Sequence, residues 1–264
     1  MTLRKAAVLG SPIAHSRSPQ LHLAAYRALG LTDWTYERIE CQAAALPTLV
    51  RGLGPEWVGL SVTMPGKFAA LQVADERTTR AEQVGSANTL VRTPTGWLAD
   101  NTDVDGVTGA LASVVTAGDD AAVLGAGGTA PAALAGLAEL GVRDVCVVAR
   151  DAAKAAPLLA LGTRLGVGTR FVELGTPVPR VAVVVSTLPA DVAARHVETL
   201  TAAPVLLDAI YDPWPTPLAD AVVAAGGRVI GGLQMLLNQA FSQVELFTGC
   251  PAPKEVMSAA LAGT

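Results

Sequence analysis

Short apolar runs alternate with stretches of helical period along most of this chain. The runs at 5–10, 34–41 and 58–62 have the length and content of strands. Between the first two, the stripe Leu21, Ala24, Ala25, Ala28 and Leu29 predicts a helix, with Ser18 as its N-cap and Pro19 at its first position. Residues 44–53 and a segment opening at Lys67 predict two more helices. Residues 87–92 and 97–99 flank the turn Pro94-Thr95-Gly96 and predict a hairpin. An apolar helix is expected over 104–115, with Asp103 as its N-cap. Further strands are predicted at 121–124, 144–149, 169–174, 181–186, 204–209 and 228–231, separated by helical segments. The run Val181-Ala182-Val183-Val184-Val185 is apolar at every position, as in a parallel sheet covered on both faces. Helices over 233–247 and 254–262 close the chain.

Composition narrows the class. Hydrophobic residues make up 51% of the 264 and charged residues 16%, so a large core is available and a disordered chain is excluded. The net charge of −4 argues against a general nucleic-acid binder. Cys41, Cys146 and Cys250 are far apart and show neither metal spacing nor a disulfide framework, so no metal and a cytoplasmic setting are expected. Met1-Thr2-Leu3-Arg4-Lys5 leads into a strand without a signal-peptide core. The uncharged stretch 121–138 is broken by glycines and Pro131 and falls short of the roughly 20 apolar residues of a membrane span. The expected partner is a small molecule, with no nucleic acid and no membrane, and with monomer or homodimer left open.

The densest chemistry lies at Gly125-Ala126-Gly127-Gly128-Thr129-Ala130, between an apolar strand and a helix. Gly125-x-Gly127-x-x-Ala130 fits a dinucleotide fingerprint: one glycine for the turn, one for close approach of a pyrophosphate, and a small residue for helix–strand packing. A glycine-rich turn in some other α/β domain would read the same way. The next strand ends at Arg150, with Lys154 nearby; cations there favour a 2′-phosphate and hence NADP, while Asp151 between them dilutes the field. The fingerprint begins near residue 121, so about a hundred residues form a separate α/β domain ahead of it.

Three polar clusters stand where strands of that first domain end: Ser16 with Ser18, Ser61 and Thr63 with Lys67, and Asn88 with Thr102 and Asp103. Hydroxyls, an amide, an amine and a carboxylate suit a small polyhydroxylated acid held between two domains. Each residue also has a plain role: Ser18 caps a helix, Thr63 and Asn88 form turns, Asp103 caps a helix, and Lys67 is a solvated lysine.

Taken together, these segments are more specific. Gly10-Ser11-Pro12-Ile13-Ala14-His15-Ser16-Arg17-Ser18-Pro19 resembles the opening signature of shikimate dehydrogenases. The resemblance continues in order through Ser61-Val62-Thr63-Met64-Pro65-Gly66-Lys67, Ala87-Asn88-Thr89, Asp100-Asn101-Thr102-Asp103, the glycine turn, Tyr211 with Thr216-Pro217, and Gly232-Leu233-Gln234-Met235-Leu236 with Gln239-Ala240. It implies NADPH-dependent reduction of 3-dehydroshikimate to shikimate, on the route to aromatic amino acids. It implies Lys67 and Asp103 as the catalytic pair, Ser16, Ser18 and Tyr211 on the substrate carboxylate, and Ser61, Thr63, Asn88, Thr102 and Gln239 on its hydroxyl region. It extends the cofactor contacts from Gly125, Ala126, Gly127, Gly128, Thr129, Ala130, Arg150 and Lys154 to Thr187, Gly232 and Met235. The implied fold is α/β: an N-terminal substrate domain, 1–102, is completed by C-terminal helices, 233–264. It faces a Rossmann-type NADP-binding domain, 103–232, across a cleft.

The chain departs from the family pattern at three places. Ser61 stands where asparagine is usual and cannot present an amide. Ala149-Arg150-Asp151-Ala152-Ala153-Lys154 keeps both cations of the phosphate-binding stretch but changes two polar positions. Gly66 replaces a bulkier residue and is expected to loosen the approach to Lys67. The alternatives are a related enzyme acting on quinate with NAD, supported by Asp151, and a catalytically idle paralogue that binds dinucleotide, opposed by Lys67 and Asp103.

Overall fold

Runs of Val, Ala and Leu build two six-stranded sheets in the computed structural model of this chain. The structure describes residues 3–201 and 203–262; Met1, Thr2 and the last two residues, read above as domain ends, lie outside them. The elements run β1 (Arg4–Gly10), α1 (Ser18–Ala28), β2 (Trp34–Glu40), α2 (Leu46–Arg51), β3 (Trp57–Val62), α3 (Lys67–Val73), β4 (Glu76–Arg77), α4 (Thr79–Val84), β5 (Thr89–Thr93), β6 (Gly96–Asp100) and α5 (Asp103–Leu111). They continue with β7 (Asp120–Leu124), α6 (Ala130–Glu139), β8 (Asp144–Ala149), α7 (Ala152–Leu165), β9 (Gly168–Glu173), β10 (Val183–Ser186), α8 (Ala190–Ala194) and α9 (Val197–Leu200). Then come β11 (Val205–Asp208), α10 (Pro217–Ala224), β12 (Arg228–Gly231), α11 (Gly232–Thr248) and α12 (Lys254–Ala262). The chain forms two compact units, one of Met1–Thr102 with Leu236–Thr264, the other of Asp103–Met235. Among the described residues no helix is long and apolar enough to cross a membrane.

The first unit holds a mixed sheet in the order β2-β1-β3-β5-β6-β4. Strands β1, β2 and β3 are parallel, whereas β5 runs antiparallel to both β3 and β6. The ends of β1, β3 and β6 and the start of β5 therefore share one edge. One face packs Leu9, Leu60, Val62 and Leu90 against α2 and α3; the other carries Ala6, Val8 and Tyr36 beneath Phe247 of α11. Each such Leu or Val contributes roughly 1.5–3 kcal/mol when fully buried. Gly59 is what lets α11 approach, because a Cβ there would lie 2.2 Å from Cδ1 of Phe247.

The second unit holds an all-parallel sheet in the order β12-β11-β10-β7-β8-β9. Read from β9 this is the 3-2-1-4-5-6 order of a Rossmann sheet, with its switch point between β7 and β10. Alternate residues serve opposite faces, and both are covered. Val123, Val145, Val147, Val183 and Val185 lie in one core, while Leu124, Cys146, Val148, Val184 and Leu206 lie in the other.

Several local expectations are corrected. Ser18 is the first residue of α1 and not its cap; Arg17 holds the N-cap position, and Pro19 falls at the second position, which its missing N–H equally permits. Asp103 likewise opens α5, which stops at Leu111 and not near 115. Helix α2 is shorter than 44–53, because Pro47 confines its start to Leu46 and Gly52 ends it. Helix α4 was missed, although Thr78 caps it by accepting the Ala81 N–H at 3.1 Å and Gly85 ends it in the left-handed region.

At the end of β7, Gly125 has φ +105°, and a Cβ on it would sit 2.6 Å from Thr187 Oγ1. Gly125→Ala should therefore destabilise the protein by about 1–3 kcal/mol. Urea unfolding checks this, and an unchanged midpoint would contradict it.

Candidate active site

The shared edge of the first sheet gathers the polar clusters. Ser16 and Ser18 follow β1, Ser61 and Thr63 close β3, Asn88 precedes β5, and Thr102 follows β6. Backbone bonds hold these loops together: Thr63 N–H donates to Leu9 O at 2.8 Å, Ser11 N–H to Met64 O at 2.9 Å, and Val62 N–H to Asn88 O at 2.7 Å. Lys67 opens α3, and its carbonyl accepts the Ala87 N–H at 2.9 Å, which seats it beside Asn88. The residue is 8% exposed, so it is not a solvated lysine. Its neighbours Met64 and Phe68 are exposed. The side-chain space at Gly66 is already taken, since a Cβ there would lie 2.8 Å from both Leu46 Cδ1 and Val62 Cγ1; the expected looseness is filled.

Behind this edge lies a buried hydrogen-bonded network. Asn88 Oδ1 accepts the Thr102 N–H at 2.7 Å and the Thr89 hydroxyl at 2.8 Å. Its amide nitrogen donates to Thr102 Oγ1 at 3.0 Å and to Gln239 Oε1 at 3.2 Å. Gln239 is fixed in turn by donating to the Leu236 carbonyl at 2.9 Å. Ser61 Oγ stands between the Tyr36 hydroxyl and Gln243 Oε1, at 2.6 Å from each. Burial pushes the Tyr36 phenol well above its usual range, with the Ser61 and Ser18 hydroxyls opposing, so it remains a donor. Ser16 Oγ accepts the Ser18 N–H at 3.3 Å, and Arg38 grips the Ser16 carbonyl.

Asp100 and Asn101, earlier in the motif Asp100-Asn101-Thr102-Asp103, hold the local structure. Arg80 clasps the Asp100 carboxylate through two nitrogens, at 3.1 and 2.6 Å, and Thr78 donates to it at 2.7 Å. Asn101 donates to the Ser86 carbonyl at 2.8 Å.

In the second unit, Gly125 to Thr129 link β7 to α6, and Ala130 begins that helix fully buried. Thr187 follows β10 and donates to the Leu124 carbonyl at 2.8 Å, so it stands at the switch point beside Gly125. A Cβ on Gly127 would meet nothing within 4 Å. Open space over glycine, next to the N-terminus of a helix, fits a pyrophosphate. Arg150 and Lys154 are exposed past the end of β8. Asp151 is committed elsewhere: it is the N-cap of α7, its Oδ1 accepting the Ala153 N–H at 2.8 Å. Gly232 opens α11, and Met235 is buried in the core of this unit. Tyr211 also belongs to this unit and not to the one carrying Ser16 and Ser18. Its loop is tied down by Asp208, which accepts the Ile210 N–H at 3.2 Å and the Thr216 hydroxyl at 2.6 Å. Burial raises the Asp208 carboxyl, opposed by those same two bonds. Among the described residues no group of three His, Cys, Asp or Glu side chains could hold a metal ion.

Sequence reasoning brought together Ser61, Asn88, Thr102 and Gln239 but missed Tyr36, Thr89, Gln243, His22 and Asp208. One signal was available. Gln239 and Gln243 are four apart on a helix whose Leu237, Ala240 and Val244 are core, so two amides share a buried flank.

Comparison with known proteins shows the family. A family model described as the shikimate dehydrogenase substrate binding domain matches residues 8–90, and one described as the shikimate 5'-dehydrogenase C-terminal domain matches 232–262. A shikimate dehydrogenase (NADP(+)) of Methylobacterium radiotolerans is 38% identical over 263 residues, covering 95% of this chain and 93% of its own. The crystal structure of Mycobacterium tuberculosis shikimate dehydrogenase is 72% identical with a TM-score of 0.94, over 99% of this chain and 100% of that one. A Thermus thermophilus shikimate 5-dehydrogenase, solved in complex with NADP(H) and shikimate, is 30% identical with a TM-score of 0.81, over 98% and 99%.

His22 lies under the network, fully buried and stacked on Tyr36 with ring centroids 4.1 Å apart. Burial pushes its imidazole from 6.5 down to about 3, against the opposing bond to Gln243. The folded state thus holds the neutral ring while the unfolded chain takes up a proton below pH 6.5. Stability is intact above that pH and falls as pH drops towards 3, by up to about 1.4 kcal/mol per pH unit. His22→Phe should flatten this slope in unfolding measured between pH 6 and 4; parallel profiles for the two proteins would refute the assignment.

Proposed function

Because the chain belongs to the shikimate dehydrogenase family, we propose that it catalyses the reversible NADPH-dependent reduction of 3-dehydroshikimate to shikimate, a step towards chorismate and the aromatic amino acids. The observation that carries this reading is the buried Lys67 seated beside Asn88 on an edge lined with hydroxyls and carboxamides. A small acid rich in hydroxyls is matched by neutral donors and acceptors with one cation among them. In this reading residues 1–102 with 233–264 bind substrate, and residues 103–232 bind NADP.

Lys67 hydrogen-bonds the substrate carbonyl oxygen, stabilises the negative charge that develops there, and delivers the proton as general acid. Asp103, the residue after Thr102, completes the catalytic pair and accepts from the neighbouring substrate hydroxyl. Ser16, Ser18 and Tyr211 hold the carboxylate. Ser61, Thr63, Asn88, Thr102 and Gln239 orient the hydroxyl-bearing ring. Gly125 to Ala130 would hold the pyrophosphate, Arg150 and Lys154 the 2′-phosphate, and Thr187, Gly232 and Met235 the remainder of the dinucleotide. When bound, NADPH would supply the hydride that reduces the carbonyl carbon and would be left as NADP+. Asp151, on which a preference for NAD rested, also serves as the N-cap of α7 through Oδ1. The free thiols of Cys41, Cys146 and Cys250 agree with a reducing cytoplasm.

Lys67→Met keeps the length of the side chain and removes its proton. Its kcat should fall by about 10²–10⁴-fold, the usual loss for a general acid, with the melting temperature nearly unchanged. Steady-state oxidation of shikimate measures this, and wild-type kcat would remove Lys67 from the role. Arg150→Ala should raise KM for NADPH by about tenfold or more, the equivalent of one charge-assisted hydrogen bond, and leave KM for NADH close to wild type. Equal shifts with both cofactors would show that Arg150 does not read the 2′-phosphate.

A further inference from the structure

Gln243 is 1% exposed, one turn beyond Gln239 on α11. The orientation of its carboxamide follows from its neighbours. The Asn88 carbonyl can only accept, so the atom 3.2 Å from it is the amide nitrogen, which also donates to Thr89 Oγ1 at 2.9 Å. The amide oxygen therefore faces Ser61 Oγ at 2.6 Å and His22 Nε2 at 3.3 Å. An amide oxygen carries no hydrogen, so both of these partners donate. The neutral His22 ring then keeps its proton on Nε2. Ser61 has a single hydroxyl hydrogen, and it points inward to Gln243. Tyr36 donates to Ser61 Oγ at 2.6 Å and takes one of its lone pairs. One lone pair is left.

We propose that Gln243 is a positioning residue for substrate selection: by drawing the Ser61 hydrogen inward, it makes Ser61 a pure acceptor that admits a ligand hydroxyl and turns away a carbonyl or carboxylate oxygen. Both donors and both acceptor positions of Gln243 are filled from within the protein, so it acts through its neighbours and is not itself a ligand. Its second route runs through Thr89, which accepts from Gln243 and so donates to Asn88 Oδ1 at 2.8 Å. That bond, with the Thr102 N–H, turns the Asn88 amide nitrogen towards Thr102 and Gln239. The proposal rests on the reading that Ser61 meets substrate.

The test is a double-mutant cycle in the full-length enzyme, with shikimate and NADP as substrates. Gln243→Met is nearly isosteric and lacks both polar atoms. It should raise KM for shikimate by about three- to tenfold, the equivalent of one neutral hydrogen bond, with kcat and KM for NADP within about twofold of wild type, the tolerance of a pure binding change. Ser61→Ala should raise KM for shikimate similarly. Because one residue acts through the other, the double variant should be no worse than the poorer single variant. A rise with Ser61→Ala but none with Gln243→Met would overturn the proposal and leave the substrate-site reading standing. Rises that multiply in the double variant would overturn the relay. No rise with Ser61→Ala would remove Ser61 from the substrate site, and the proposal with it. Should Gln243→Met fail to fold, deoxyfluoro analogues of shikimate serve instead, since fluorine replaces one hydroxyl without donating. Wild type should discriminate against one of them and Ser61→Ala should lose that discrimination; wild type binding every analogue as well as shikimate would overturn the proposal.

Discussion

A backbone carbonyl accepts hydrogen bonds and never donates them, and the carbonyl of Asn88 imposes that restriction on the polar centre of the first unit. It takes the Val62 N–H, which registers β3 against the residue before β5, and it takes the Gln243 amide, which ties α11 to the same edge. From that second bond the direction of each following hydrogen is fixed, through Ser61 on one side and Thr89 on the other. Buried polar groups left without partners are expensive, so a network of this kind holds firmly in one arrangement. It is built almost wholly from neutral side chains, and the charged Lys67 enters at its border through the backbone bond to Ala87.

The second unit is governed by a different constraint. A parallel sheet buried on both faces leaves its strand ends as the places where polar side chains can act. Thr187 and Gly125 meet at the switch point, and Asp208 uses the end of β11 to anchor the loop that carries Tyr211. Helix α7 is started by Asp151, so an acid beside two cations has a structural reason to be there.

Much of this was legible locally. Strands β7, β8 and β12 coincide with apolar runs, and the glycine turn lies where strand passes into helix, because both signals depend on residues within a few positions of each other. Helix starts were less legible: Ser18 and Asp103 are good capping residues, yet each became the first residue of its helix, since an adjacent proline or loop fits either register. Gln243 and Tyr36 were not legible as site residues. Gln243 meets Thr89 across 154 positions of sequence, and Tyr36 meets Ser61 only once β1 has paired with both β2 and β3. Lys67 could have been a surface lysine until the loop before Asn88 closed over its backbone. The space at Gly66 was misjudged for the same reason, because Leu46 fills it from another element.

The missing side chain at Gly59 has a further consequence for how this chain can vary. The Phe247 ring crowds the place a Cβ would take, so the side chains that fit at 59 and at 247 depend on each other. A methyl at 59 is acceptable only alongside a smaller residue at 247, and each change made alone leaves either a clash or a void. Phe247 is one helical turn from Gln243 and two from Gln239, at 1.5 Å of rise per residue. A bulkier residue at 59 would therefore press on the helix that carries both amides, so a glycine that bears no functional group bears on hydrogen bonds two turns away.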